Sequence, residues 1–168
     1  AALSESLASL QPEIQDGRVA LRLGGHVIED FTQPDLVVAN PAVPRPWENP
    51  FLIAAREAGV PITTEIRLLT EQLNPARVIG ITGTNGKSTT ASMVHHILDR
   101  NGIDVRLGGN FGGSLLPEVT TLSDETWIVL ELSSAMLWWL GEDTGDGWSP
   151  GTAVITNIAA NHIDWHGT

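Results

Sequence analysis

The residues best suited to chemistry in this sequence surround its single lysine, Lys87. Residues 80–89 read Gly-Ile-Thr-Gly-Thr-Asn-Gly-Lys-Ser-Thr, between an apolar run and a segment with helical periodicity. A strand, a glycine loop and a helix in that order bind phosphate, because loop N–H groups turn inward and the helix N-terminus adds partial positive charge. Lys87 then reaches the terminal phosphates, and the Ser88 hydroxyl is placed to bind Mg²⁺. The pattern predicts an ATP-type phosphate site.

The glycine spacing of this loop departs from the strict Walker pattern, which needs a glycine where this chain has Ile81. The glycines stand instead at positions 80, 83 and 86. One alternative is a glycine-rich turn that binds no ligand. The order of apolar run, loop, Gly-Lys-Ser and helical segment favours the phosphate site over that alternative.

A carboxylate, Glu131, ends the apolar run of residues 127–131. A carboxylate at the carboxyl end of a strand beside a phosphate loop suits Mg²⁺, which is a hard ion that prefers oxygen ligands. The alternative is a solvated glutamate at the end of a strand. The neighbouring phosphate loop favours the metal role.

Two further polar residues follow predicted strands. His162 comes after the last strand, and Asn110 lies in the glycine-rich loop of residues 108–113. Ligands of open parallel sheets bind at the carboxyl ends of strands, and an asparagine amide both donates and accepts hydrogen bonds. Chemistry alone leaves an ordinary loop residue as an equal alternative for each. We expect His95 and His96 to be ordinary helical residues.

Apolar runs that alternate with helical patterns predict an α/β fold with a parallel sheet. The predicted strands cover residues 19–23, 36–39, 62–63, 78–82, 105–107, 127–130 and 153–156. The predicted helices cover residues 48–58, 65–73, 88–100 and 133–140, with loops at residues 40–44 and 141–150. Asn74 and Pro75 break the chain, and we place a domain boundary there.

The composition narrows the function classes. The net charge of −11 argues against nonspecific nucleic-acid binding, and the absence of cysteine excludes disulfides and thiolate metal sites. No apolar run approaches the roughly 20 residues that span a bilayer, and no secretory signal is visible. We expect a cytoplasmic protein without membrane or nucleic-acid partners.

We expect Trp138 and Trp139 to have a packing role. The acidic run Glu142, Asp143 and Asp146 is expected to be a solvated loop.

The loop of residues 80–89 resembles the nucleotide signature of the Mur ligases and the related folylpolyglutamate synthetases, in which the glycine spacing around Ile81 is the family's own. Residues 107–112, Leu-Gly-Gly-Asn-Phe-Gly, and residues 130–134, Leu-Glu-Leu-Ser-Ser, resemble the branch of that family that adds D-glutamate. Upstream, residues 35–44 and 58–66 resemble the end of its uridine-nucleotide-binding domain. The resemblance covers most of the chain beyond its first thirty residues.

This resemblance implies a Rossmann-like remnant followed by part of a P-loop-containing parallel-sheet ATPase domain. Residues 1–74 would be the C-terminal part of the UDP-substrate-binding domain, and residues 75–168 the N-terminal part of the central ATP-binding domain. The implied activity is an ATP-dependent amide-bond ligase of peptidoglycan precursor synthesis. It would add D-glutamate to UDP-N-acetylmuramoyl-L-alanine through an acyl phosphate, as a monomer. We expect this chain to be a fragment, inactive alone, since the family's carbamylated lysine and third domain are not found in it.

Residue roles also follow from the resemblance. Lys87 and His162 would be catalytic, with ATP and Mg²⁺ as cofactors. The ATP-binding residues would be Gly83, Thr84, Asn85, Gly86, Lys87, Ser88 and Thr89. Ser88 and Glu131 would hold one Mg²⁺, and His162 a second. The substrate would meet Asn110 and Ser133, with Asn40, Pro41 and Ala42 near its uridine end.

Two segments depart from the family pattern. The family usually has Ser-Pro-Gly at residues 40–42, and an Asp where this chain has Asn161.

The alternatives to a D-glutamate-adding ligase are another Mur ligase, a folylpolyglutamate synthetase or a noncatalytic nucleotide-binding module. An unrelated P-loop kinase or switch protein is disfavoured by the glycine spacing.

Overall fold

A computed structural model describes residues 7–8, 10–141 and 147–166 of the chain. Its strands are β1 (Val37–Ala39), β2 (Ile62–Thr64), β3 (Val78–Thr82), β4 (Val105–Gly109), β5 (Trp127–Glu131) and β6 (Thr152–Ile155). Its helices are α1 (Gln11–Gln15), α2 (Glu29–Thr32), α3 (Pro50–Glu57), α4 (Glu65–Thr70), α5 (Lys87–Arg100), α6 (Ser134–Gly141) and α7 (Ile163–His166). Short 3₁₀ helices cover Pro75–Arg77 and Leu116–Thr121.

All the strand pairs described are parallel. Strands β1 and β2 form a two-stranded sheet, and the other four form a sheet in the order β4-β5-β3-β6. The α/β class with a parallel sheet is therefore confirmed. In this order β3 lies between β5 and β6, so the loop after β3 is flanked by the ends of both strands.

The two faces of the four-stranded sheet bury different helices, because successive side chains of a strand point to opposite faces. One face carries Val78, Ile128 and Leu130, which pack in one cluster with Ile66 and Leu69 of α4. The other face packs against α5 in a cluster that contains Ile79, Ile81, Ala91, Val94, Leu98, Val105 and Val129. The predicted apolar stripe of α5, formed by Ala91, Val94 and Leu98, is thus confirmed as its core-facing side.

One predicted strand is wrong. Residues 19–23 follow α1 without a strand beside them, and the Val19 N–H donates to the carbonyl of Glu13 instead of to a ladder. Leu21 and Leu23 are exposed. Their alternating apolar pattern matches a strand, but a strand also needs a hydrogen-bonded neighbour, and the described residues offer none at this place.

The other predicted strands and helices agree with the structure to within a few residues, whereas the short helices α1, α2 and α7 were not predicted. Helix α3 begins later than predicted because the Asn49 side chain caps it, and α4 ends at Thr70, before the predicted Leu73. The loop of residues 40–44 is confirmed. Residues 142–146 of the predicted acidic loop, with Glu142, Asp143 and Asp146, lie outside the described residues. Among the residues described, no helix has the length and apolar character needed to cross a membrane.

An aromatic cluster of Trp47, Trp138, Trp139 and Trp165 joins segments distant in sequence. Its ring centroids are 4.9 to 6.0 Å apart in the neighbouring pairs. Trp165 Nε1 also donates to the carbonyl of Val43 at 3.2 Å. Trp139 is buried with the side chains around β1 and α3. The predicted packing role of Trp138 and Trp139 is confirmed, and the cluster links the β1–β2 side of the molecule to α6 and α7.

Candidate functional site

The glycine loop runs from the end of β3 into the first residue of α5. Gly83 and Gly86 have φ angles of +132° and +82°, which L side chains rarely adopt. A Cβ on Gly83 would also overlap with Oγ1 of Thr156. Glycine is therefore required at Gly83 by both the backbone conformation and the lack of space, and at Gly86 by conformation alone.

The first turn of α5 presents backbone donors beside this loop. The first hydrogen bond of the helix runs from Thr90 N–H to the Gly86 carbonyl at 2.9 Å. The N–H groups of Lys87, Ser88 and Thr89 therefore have no acceptor within the helix. Such groups, together with the positive end of the helix dipole, attract an anion.

The Lys87 ammonium folds back over the loop. Its Nζ donates to the carbonyl of Thr84 at 3.1 Å, and the side chain is partly buried. An ammonium has three donors, so this bond fixes the position of Nζ while leaving capacity for a ligand. The lysine is held where an anion on the α5 N-terminus would meet it.

Three predicted site residues, Ser88, Glu131 and Asn110, come together in one hydrogen-bonded group. Ser88 Oγ donates to Glu131 Oε2 at 2.7 Å, and Asn110 Nδ2 donates to Glu131 Oε1 at 3.1 Å. Only 1% of Glu131 is exposed. Strand alternation places Glu131 on the same face of β5 as Val129, which is the face covered by α5. The carboxylate therefore points toward the first turn of that helix, where Ser88 lies.

Asn110 reaches this carboxylate because its backbone is also attached to β5. Its N–H donates to the Glu131 carbonyl at 2.9 Å. The preceding residue, Gly109, has φ +95°, and a Cβ there would overlap with the same carbonyl. The glycines of this loop thus permit the close approach to β5, and Asn110 faces the carboxylate as well as the cavity described below.

This oxygen-rich group fits Mg²⁺. The Ser88 hydroxyl and a buried Glu131 carboxylate are hard oxygen donors, and the described residues contain no group of three or more His, Cys, Asp or Glu that could hold a metal ion by itself. A cation here would take its remaining ligands from water and phosphate. That is the usual way in which proteins hold Mg²⁺, through one or two side chains beside a nucleotide.

A cavity of about 710 Å³ opens beside Lys87 and Asn110. A volume of this size suits a small-molecule ligand. The predicted site residues that line it are Ala42, Gly83, Thr84, Lys87, Asn110, Ser133 and His162. Pro44, Leu137, Ile155, Ile158 and Trp165 add an apolar part to its wall. Seven residues from five separate segments of the sequence thus share one cavity.

The remaining candidates do not line the cavity, and they are Asn40, Pro41, Asn85, Gly86, Ser88, Thr89 and Glu131. Asn40 Oδ1 accepts from the N–H of Ala42 at 2.9 Å, which shapes the turn. Ser133 Oγ accepts from the N–H of Met136 at 3.2 Å and so caps α6. His162 has φ +49°, and its N–H donates to Asn161 Oδ1 at 2.9 Å.

A segment that the sequence did not reveal as part of the site holds the glycine loop in place, and it contains Thr156, Asn157 and Ala159. Hydrogen bonds join these residues to Thr84 and Asn85. Their signal was a Thr-Asn pair directly after the last predicted strand. It could be interpreted only with the knowledge that β6 is the neighbour of β3.

The fold and the site together define an α/β domain with a ligand cavity at the carboxyl edge of a parallel sheet, next to a glycine loop and a buried carboxylate. The chain belongs to the Mur ligase family. Its residues 81–168 match the family model for the Mur ligase middle domain.

Curated relatives extend this similarity along the chain. The UDP-N-acetylmuramoylalanine–D-glutamate ligases of Koribacter versatilis and Geobacillus kaustophilus are 39% and 38% identical to it, over 98% and 99% of its length. That of Acidobacterium capsulatum is 37% identical over 98% of the chain. The alignments cover 34% to 35% of these three relatives, so the chain spans about a third of their length.

Proposed function

We propose that this chain is part of an ATP-dependent ligase that adds D-glutamate to UDP-N-acetylmuramoyl-L-alanine in cytoplasmic peptidoglycan precursor synthesis. The observation that carries this proposal is the bond between Ser88 and the buried Glu131, which stands beside a glycine loop and lysine in a member of the Mur ligase family. The relatives named for D-glutamate ligation support the choice within the family.

Lys87 and the first-turn N–H groups of α5 would bind the phosphates of ATP. Phosphoryl transfer is catalysed mainly by positioning and by stabilising the charge on the transferring group. The ammonium of Lys87 is anchored through Thr84, and the N–H groups of Lys87, Ser88 and Thr89 lack helical acceptors. The proposed ATP-binding residues are the same as those predicted from the sequence, namely Gly83, Thr84, Asn85, Gly86, Lys87, Ser88 and Thr89.

Ser88 and Glu131 would hold one Mg²⁺, and His162 would serve a second. When bound, Mg²⁺ would neutralise part of the negative charge of the phosphates. The burial of Glu131 between two neutral donors supports the first assignment, because a nearby cation would stabilise that carboxylate. The second assignment is supported by the position of His162 on the cavity that Lys87 also lines.

The reaction would proceed in two balanced steps. First, the γ-phosphoryl group of ATP passes to a carboxylate oxygen of the alanyl substrate, so that ADP leaves and an acyl phosphate forms. Second, the amine of D-glutamate attacks the acyl carbon through a tetrahedral intermediate. A C–N bond forms, the bond between the acyl carbon and the phosphate oxygen breaks, inorganic phosphate leaves, and the proton of the amine passes to solvent.

The remaining predicted roles concern the substrate. Asn110 and Ser133 would face it, and Asn40, Pro41 and Ala42 would lie near its uridine end. The cavity supports this arrangement, since it is lined by Asn110, Ser133 and Ala42 together. In this proposal, residues 1–74 are part of the UDP-substrate-binding domain, and residues 75–168 are part of the ATP-binding domain.

The experiment that tests this function measures phosphate release by the longer protein that contains this chain. We expect release only when ATP, UDP-N-acetylmuramoyl-L-alanine and D-glutamate are all present. Phosphate release that depends on lysine, meso-diaminopimelate or a folate instead of D-glutamate would assign the protein to another branch of the family. No ATP turnover under any combination would contradict the ligase proposal.

A second candidate is a nucleotide-binding module without catalytic activity, favoured for these 168 residues alone because they span about a third of the relatives' length. We expect purified residues 1–168 to form no ADP in response to D-glutamate. D-Glutamate-dependent ADP formation by this chain would show that it is catalytically sufficient.

A further inference from the structure

The side chain of Asn157 makes two hydrogen bonds to the backbone of a single residue in the glycine loop, Asn85. Its Oδ1 accepts from the N–H of Asn85 at 3.0 Å, and its Nδ2 donates to the carbonyl of Asn85 at 2.8 Å. The amide of Asn157 therefore pairs with this loop residue as a neighbouring strand would. Asparagine suits this position because its planar amide carries one acceptor and two donors.

Further bonds join the same two segments. The Asn157 carbonyl accepts from the N–H of Thr84 at 2.9 Å, and Thr156 Oγ1 donates to the Asn85 carbonyl at 2.6 Å. Thr84 Oγ1 donates to the Ala159 carbonyl at 3.1 Å and accepts from its N–H at 2.9 Å. The loop is thus bonded to the segment after β6 at two consecutive residues, each through more than one bond.

These bonds divide the donors of the loop into two groups. The N–H groups of Thr84 and Asn85 are directed to Asn157. Those of Lys87, Ser88 and Thr89 remain for a ligand, because they have no acceptor within α5. Only Gly86, with φ +82°, separates the two groups. Asn157 therefore holds the backbone of Asn85 two residues before the first residue of α5.

We propose that Asn157 is a positioning residue for nucleotide binding, an inference that rests on the proposed function. It holds Asn85 so that the N–H groups at the start of α5 are oriented toward a nucleotide phosphate before the nucleotide arrives. Groups that are oriented in advance bind more tightly, because less ordering accompanies binding. The same segment continues to His162, so the phosphate loop and the His162 side of the cavity are attached to each other.

The test is calorimetric titration of the full-length protein with Mg-ADP. Asn157→Ala should weaken binding at least tenfold. Asn101→Ala is the matched control, since Asn101 also bonds to backbone through its amide, but at the far end of α5. Lys87→Ala provides the reference for loss of the site itself.

Kinetics separate a positioning role from general damage to the fold. Asn157→Ala should raise the KM for ATP while leaving the KM for D-glutamate and the thermal midpoint close to those of Asn101→Ala. Equal Mg-ADP affinity in the two variants would overturn the role of Asn157. So would a uniform rise of every KM together with a lowered melting temperature.

The same titrations distinguish failure of this inference from failure of the proposed function. If Lys87→Ala weakens Mg-ADP binding and Asn157→Ala does not, only the positioning role is overturned. If the wild-type protein binds no Mg-ADP, the proposed nucleotide site itself is wrong and the positioning role is overturned with it.

Hydrogen exchange at single amides gives a test that needs no variant. The N–H of Asn85 should be protected without nucleotide, whereas that of Ser88 should gain protection when Mg-ADP is added. Exchange of the Asn85 N–H at the rate of an unstructured chain in the nucleotide-free protein would overturn the inference.

Discussion

Ser88 Oγ donates a 2.7 Å hydrogen bond to Oε2 of Glu131, a carboxylate that is almost fully buried at the end of β5. A second side-chain donor to this carboxylate is the neutral amide of Asn110. A buried carboxylate is costly unless a cation or strong donors compensate it. The pair formed by Ser88 and Glu131 is therefore a site where a cation would be stabilised.

Glu131→Gln should weaken the magnesium dependence of nucleotide binding. Glutamine keeps the shape of the side chain but carries no charge, so we expect Mg-ATP affinity to fall about tenfold or more, a loss of about 1.4 kcal/mol. Affinity for ATP without Mg²⁺ should change little. Titration of the wild type and of Glu131→Gln with ATP, each with and without Mg²⁺, measures the change. An unchanged magnesium dependence would contradict the assignment of Glu131.

Lys87→Ala should weaken ATP binding by at least tenfold, because the ammonium anchored on Thr84 would no longer meet the phosphates. Lys87→Arg should restore little of the loss. The planar guanidinium is larger than an ammonium and cannot occupy the same position over the loop. Calorimetry with Mg-ATP compares the three proteins, and equal affinity in the wild type and Lys87→Ala would remove Lys87 from the site.

Two glycines, Gly109 at the end of β4 and Gly113 in the loop that follows, should respond differently to alanine. Gly113 has φ +90° with open space around it, so Gly113→Ala should cost about 1–2 kcal/mol of unfolding free energy from conformation alone. Gly109 has φ +95° and lies against the Glu131 carbonyl, so Gly109→Ala should cost at least twice as much. Urea unfolding of both variants provides the comparison. Similar costs would indicate that the loop can move away from β5.

The ionised Asp104 should contribute to the stability of the fold near neutral pH, and this contribution should be lost in acid. The hydrogen bond from Thr126, followed by that from Arg106, lowers the pKa of Asp104 below its ordinary value of 3.8. A lowered folded-state pKa stabilises the fold above pH 3.8 and ceases to do so as the pH falls through the folded-state value. Thr126→Val should therefore be less stable than the wild type near neutral pH, with a difference that shrinks below pH 3.8. A difference independent of pH would exclude this ionisation as its cause.

The elements around the glycine loop could be predicted from the sequence because their signals are local. The apolar run of β3, the glycines and the stripe of α5 each act within a few residues of chain, and the bounds agree closely with the structure. The strand predicted at residues 19–23 was wrong because strand formation depends on a partner from elsewhere in the chain. The approach of Glu131 to the loop was anticipated from a general property of parallel sheets.

The bonds of Asn157 to Asn85 could not be predicted in the same way. They depend on β6 lying beside β3, and the hydrophobic pattern of a strand does not specify its neighbour. Asn110 illustrates a related limit. Its glycine-flanked loop suggested a ligand contact, but its amide also supports Glu131, which only the pairing of β4 with β5 reveals.

The tryptophan cluster has an optical consequence. Its four members, Trp47, Trp138, Trp139 and Trp165, lie close enough together to share excitation, and Trp165 also lines the cavity. A ligand that enters the cavity changes the polarity around Trp165 and thereby the emission of the cluster. The intrinsic ultraviolet fluorescence of the protein should therefore report cavity occupancy without an added label.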